Sequence, residues 1–255
     1  MAGNTDSFFC RLQKEFAMLV DECQLRQAGV KVTAKPLSPA DAIGSTRRKD
    51  YVLLTGKERL LQAEVLDCRG QAFTGSLGDF AGTMEEVLAL PLTDDFQRAV
   101  YTATLNAVAC HAGKVKNTIH CRNEGPELCA RQAVDFFQKK YGEPRILMVG
   151  YQPALAEALH QAFPLIVLDL DPANIGQNKN GVIIKDGSVG LVEYIKACDV
   201  IFVTGSTICN DTIDILGQSG KQLVFFGTTG SGAAALLGIT RFCPESETGR
   251  NPLKI

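Results

Sequence analysis

The stretch RILMVGYQPALAEALHQAFPLIVLDL, residues 145–170, decides the fold. Two continuous apolar runs, RILMVG (145–150) and LIVLDL (165–170), flank a segment in which Pro153 suits the first position of a helix. Strands that are apolar on both faces belong to a parallel sheet covered by helices on each side. Downstream, DVIFVTG (199–205) and KQLVFFG (221–227) read as further strands, with helices expected over 188–198 and 210–219. Another helix, over 126–141, precedes the first strand, while 171–187 reads as irregular. Strands alternating with helices imply an α/β fold with a right-handed, doubly wound parallel sheet.

Upstream of this the periodicity differs. Phe9, Leu12, Phe16, Leu19, Val20 and Cys23 recur at three- and four-residue steps, which predicts a helix capped by Asp6 or Ser7 and stopping near Gly29. Residues 35–46 read as a connection. YVLLTG (51–56), LLQAEVLD (60–67) and QAFTG (71–75) then read as three short antiparallel strands, and Leu61, Ala63 and Val65 alternate with polar residues as a half-wet sheet requires. A loop over 75–82 leads to a helix from Thr83 to Leu90. A second helix, capped by Thr93 or Asp94, carries Phe96, Val100, Ala103, Ala107 and Cys110 on one stripe. The first half is therefore a small α+β domain. The polar segment 111–125 crosses between the halves, which places the domains at 1–120 and 121–255.

Composition narrows the function. The 255 residues carry 26 basic and 28 acidic side chains, a net charge of −2, which excludes a polybasic nucleic-acid arm. Hydrophobic residues make up 45% and charged residues 21%, as in a globular protein with a substantial core. No apolar run reaches the ~20 residues of a membrane helix, and the N-terminus has no signal-peptide pattern. Nine cysteines without such a pattern predict thiols in the cytoplasm rather than a disulfide framework. Neither nucleic acid nor membrane is an expected partner, and a homo-oligomer stays open. No nucleophile elbow, Walker loop or kinase set occurs.

Ligands of open parallel sheets bind outside the carboxyl ends of the strands. Gly150 ends the first strand, and Asp169 follows nineteen residues later at the end of the next, near the spacing used for a nucleotide ribose. Two loops of small residues follow the later strands. Thr204-Gly205-Ser206-Thr207, with Asn210, and Gly227-Thr228-Thr229-Gly230 offer backbone N–H groups and hydroxyls suited to a carboxylate or phosphate. His111, His120, Cys121 and Cys129 lie close enough in sequence for a metal site, but without a CxxC or HExxH spacing. Cys209 beside a helix start is a candidate low-pKa thiol or a small packed side chain.

The strings LPLTDDFQRAVYTATLNAVA, RILMVGYQPALAEAL, DVIFVTGSTICNDTIDIL and VFFGTTGSGAAAL resemble the family named "Putative heavy-metal chelation", a domain of unknown function. The likeness covers most of residues 40–243. It implies a first domain similar to the enolase N-terminal domain, a Rossmann-like second domain and a site in the cleft between them. Matched by position, Asn106, Gly150, Thr204, Gly205, Ser206, Thr207, Asn210, Gly227 and Thr228 become candidate ligand contacts, with Asn106 orienting the ligand from the first domain. Gly-Thr-Thr-Gly stands where the family commonly has a proline. The resulting expectation is a small anionic metabolite or a metal–chelator complex bound in the cleft, in heavy-metal chelation or chelator metabolism. Two alternatives stay open: an enzyme using S-adenosylmethionine or a nucleotide, and a metal-binding or metal-delivery protein using Cys and His. A metal ion, a nucleotide and S-adenosylmethionine are the cofactor classes these readings imply.

Overall fold

The computed structural model describes residues 7–34, 44–51, 59–76 and 78–251. Most of the strand expected over 51–56 lies outside them. Helix α1 (Phe8–Glu22) begins at Ser7, whose hydroxyl accepts from Cys10 N, and buries Phe8, Leu12, Phe16, Leu19 and Val20 along one stripe. Four strands follow: β1 (Gly29–Thr33), β2 (Arg59–Val65), β3 (Cys68–Thr74) and β4 (Phe80–Thr83). They form an antiparallel sheet in the order β3-β2-β1-β4. β1 and β4 correct the sequence reading, which placed a helix stop and a loop there. Each is short, and each depends on long-range pairing, β1 with β2 and β4 and β4 with β1, which local periodicity does not record.

Helix α2 (Met84–Leu88) starts in a reciprocal cap between Thr83 and Glu86. Helix α3 (Asp95–His111), capped by Asp94, is buried continuously from Arg98 to Cys110 rather than along a single stripe. One side lies on the first sheet, so closely that a Cβ on Gly70 would overlap the backbone of Ala103 and Ala107. The other side meets the second half.

After β5 (Asn117–Ile119), which ends the first half, the second half comprises α4 (Gly125–Tyr141), β6 (Ile146–Val149), α5 (Pro153–Ala162), β7 (Leu165–Asp169), β8 (Asn178–Lys179), β9 (Val182–Asp186), α6 (Leu191–Ala197) and β10 (Val200–Thr204). It continues with α7 (Ser206–Cys209), α8 (Ile213–Gly217), β11 (Gln222–Phe226), α9 (Ser231–Leu237), β12 (Thr240–Phe242) and β13 (Glu247–Thr248). The main sheet has the order β12-β11-β10-β6-β7-β9-β8, parallel throughout except for the terminal β8–β9 hairpin. Counted along the chain, its six parallel strands run 3-2-1-4-5-6, the order of dinucleotide-binding sheets. β9 is a further correction, because 171–187 had read as irregular. Only Val182 and Ile184 face inward there, too few to stand out as a buried run.

Helices cover both faces of this sheet. α4 and α5 pack Phe137, Leu155 and Leu159 against Met148, Val167 and Phe202. On the other face, Leu147, Ile201 and Phe225 join a core that continues through α1, α3 and the first sheet. Phe8 stacks edge-on to Phe225, and its N–H donates to Asp214 at 2.7 Å. The chain end then returns to the first half: β13 pairs with β5, Arg69 N donates to Gly249 O, and Asn251 N donates to Asp67 O. Among the described residues, no helix is long and apolar enough to cross a membrane.

Candidate functional site

The carboxyl ends of β6, β7, β10 and β11 open into a cavity of about 690 Å³. It lies where the chain order of the sheet reverses, between β6 and its neighbour β10. Val149, Gly150, Leu168, Asp169, Thr204, Phe226 and Gly227 form its floor, and Tyr51, Phe73 and His120 wall it from the first half. Two glycines are required by the turns. Gly150 has φ +92° and faces Thr204, whose methyl lies 2.5 Å from where a Cβ would stand, and Gly227 has φ +82°.

Asp169 organises the first loop. Its carboxylate accepts from Tyr151 N at 2.9 Å, from Asp171 N at 2.7 Å and more weakly from Asn174 Nδ2 at 3.4 Å. In the loop after β10, Thr207 Oγ1 donates to Thr204 O at 2.7 Å, and Thr204 Oγ1 donates to Ser206 Oγ at 3.2 Å. Asn210 Oδ1 accepts from Thr212 N and Oγ1. Thr204, Ser206, Thr207, Asn210 and Thr229 all line the cavity, although several of their polar groups already serve the loops themselves.

Three expected contacts lie elsewhere. Gly205 packs backbone to backbone, since a Cβ there would overlap Gly230 N, and its φ of −59° is ordinary. Thr228 is fully buried behind the wall. Asn106, also fully buried, donates through Nδ2 to Gln71 O (2.8 Å), Thr229 O (2.9 Å) and Thr228 O (3.2 Å), and accepts at Oδ1 from Gly232 N (2.6 Å). The expectation that Asn106 orients a ligand is thereby corrected: its amide is consumed in joining the two halves. Thr229 Oγ1 adds to the same seam by accepting from Phe73 N at 3.0 Å.

The expected metal candidates do not converge, and among the described residues no three His, Cys, Asp or Glu side chains form a metal-holding group. His111 Nδ1 is paired with Asp67 Oδ1 at 2.6 Å. His120 stands in the cavity wall edge-on to Phe73, and burial pushes its pKa down to about 4, which leaves the ring neutral at physiological pH. Cys121 and Cys129 are buried side by side, and the neighbouring thiol together with burial holds Cys121 in the thiol form. Cys209 is packed inside, with its carbonyl accepting from Arg98 Nε at 2.7 Å.

Besides Tyr51 and Tyr151, the ionisable lining is Asp169, Asp171, Asp211, Asp214 and His120, with no Lys or Arg among the described residues. Asp211 has Arg98 at 3.9 Å, and Asp214 accepts from Phe8 N. Such a wall repels an anion, which revises the charge expected for the ligand. The aspartates at 171, 211 and 214, together with Tyr51, Phe73 and Tyr151, were missed in the sequence. They reach the cavity from separate loops and from the first half, and no local motif marks them.

Residues 132–239 match the family described as "Putative heavy-metal chelation". The matched segment lies within the second half. The matched segment contains every cavity loop contributed by the main sheet, whereas Tyr51, Phe73 and His120 lie outside it. A Pyrococcus horikoshii protein of unknown function from this family is similar in structure, with a TM-score of 0.53 and 14% identity over 88% of this chain and 80% of that one. At this identity the likeness shows the fold. A second family member of unknown function, from Desulfitobacterium hafniense, gives a TM-score of 0.48 and 14% identity over 70% of this chain and 72% of that one. Among curated proteins none matches.

Proposed function

We propose that this chain binds a small metabolite in the cleft between its two halves, and that the metabolite is neutral or positively charged. The observation that carries the reading is the cavity of about 690 Å³ at the switch point of the sheet, walled by both halves. Cavities of this size suit small organic ligands and cofactors. The chelation-family segment supports a metal–chelator complex as the occupant. The four aspartates then favour a complex with net positive or zero charge over a free polycarboxylate chelator, which revises the anionic ligand expected from the loops.

Thermal-shift titration tests this with nickel, zinc and iron complexes of amino-acid and carboxylate chelators, each beside the free chelator. A ligand bound only by the folded state raises the melting temperature with concentration. Leu170→Trp, at an exposed position on the cavity rim, should abolish the shift without altering the apo melting temperature. A shift that survives Leu170→Trp places the ligand elsewhere.

A further inference from the structure

Asp169 closes β7 beside the loop that follows β6, and two backbone N–H groups fix its carboxylate there. A carboxylate has about four acceptor sites, so this one keeps capacity toward the cavity it lines. In a sheet of this strand order, an acidic side chain at this strand end meets the hydroxyls of a ribose. The adjoining helix end is poorly suited to phosphate. Pro153, at the first position of α5, has no N–H, and the Gln152 side chain already accepts from Leu155 N. Two of the N–H groups that a diphosphate would use at this helix end are therefore missing or occupied. No Lys or Arg lines the cavity among the described residues, while four aspartates do. Val149, Leu168, Leu191 and Phe226 supply apolar surface for a base.

We propose that the cavity takes a nucleoside without phosphate whose 5′ substituent is positively charged, a nucleoside sulfonium of the S-adenosylmethionine class, with its ribose on Asp169 and its charge balanced by the wall aspartates. This rests on the cavity reading above and names a different occupant from the metal–chelator complex.

Calorimetric titration of the full chain at low salt tests it with S-adenosylmethionine, S-adenosylhomocysteine, adenosine, 2′-deoxyadenosine, AMP and NAD. S-adenosylmethionine should bind several-fold more tightly than uncharged-sulfur S-adenosylhomocysteine, and AMP and NAD at least tenfold more weakly than adenosine. Asp169→Asn keeps an oxygen acceptor for Tyr151 N. It should erase the preference for adenosine over 2′-deoxyadenosine, whereas a purely structural Asp169 would weaken both alike. AMP or NAD binding as tightly as adenosine overturns the proposal, as does a nucleoside preference untouched by Asp169→Asn. If no nucleoside binds but a metal–chelator complex does, and Leu170→Trp blocks it, the nucleoside assignment fails and the cavity reading stands. If neither class binds, both fail.

Discussion

Asn106 Oδ1 accepts the N–H of Gly232 at 2.6 Å, and this bond ties the middle of α3 to the first turn of α9, 126 residues away. The same amide donates to three carbonyls, on β3 and on the loop after β11. One side chain thus satisfies polar groups in both halves of a seam that water does not reach, and the cavity depends on that seam for its shape.

Asn106→Ala should destabilise the protein by about 3 kcal/mol or more, because it leaves several buried backbone groups without partners. Asn106→Asp should be no better, since an ionised carboxylate cannot donate to the carbonyls. Urea unfolding measures the loss. At a temperature where the variant is still folded, affinity for a cavity ligand should match the parent, because the amide does not line the cavity.

Gly205→Ala and Ser206→Ala should separate packing from contact. The methyl at 205 would overlap Gly230, so the expected cost is about 1–3 kcal/mol of stability. Ser206 lines the cavity and is half-buried, so its truncation should move stability by less than about 0.5 kcal/mol and weaken a bound ligand by roughly 0.5–1.5 kcal/mol. Equal effects of the two changes on melting would contradict this division.

His120 gives the stability a defined acid limb. Burial lowers its pKa from 6.5 to about 4, so below pH 6.5 the unfolded chain takes up a proton that the folded chain refuses. The contribution is complete above about pH 6.5 and is lost as pH falls toward 4, by up to about 3 kcal/mol. His120→Gln should flatten that part of the profile in pH-dependent urea melts. A variant with the parent's slope between pH 6.5 and 4 would assign the limb to other groups.

The exposed thiol should react apart from the six buried ones, with the half-buried Cys23 and Cys243 between them. Cys10 is exposed on α1, while Cys68, Cys110, Cys121, Cys129, Cys198 and Cys209 are buried. Titration with an aromatic disulfide reagent should show a fast phase that Cys10→Ser removes, with the buried set reacting only on unfolding. Fast labelling of Cys121 or Cys129, located by mass spectrometry, would show that the segment around His120 opens readily.

The main sheet was legible because its strands β6, β7, β10 and β11 are buried on both faces, and burial on both faces writes a continuous apolar run into the chain. Strand ends follow from that, and so the positions of Gly150, Asp169, Thr204 and Gly227 could be read as loop residues facing a common opening. α1 was equally plain from its stripe. β1, β4 and β9 were not, because four or five residues with at most one buried face carry little signal until a partner strand is present.

The sequence by itself determined the buried parallel strands and the striped helices, since propensity, periodicity and capping are local properties of neighbouring residues. Only the tertiary structure decided which polar side chains face the cavity and which are spent inside. Asn106 and Asp169 look alike in sequence, each a polar residue at a plausible edge of an apolar segment. The fold surrounds Asn106 with four backbone partners and leaves Asp169 on an open wall beside three further aspartates. That difference, and the sign of the charge a ligand meets, arises from loops far apart in the chain, and their distances exist only once both halves share one core.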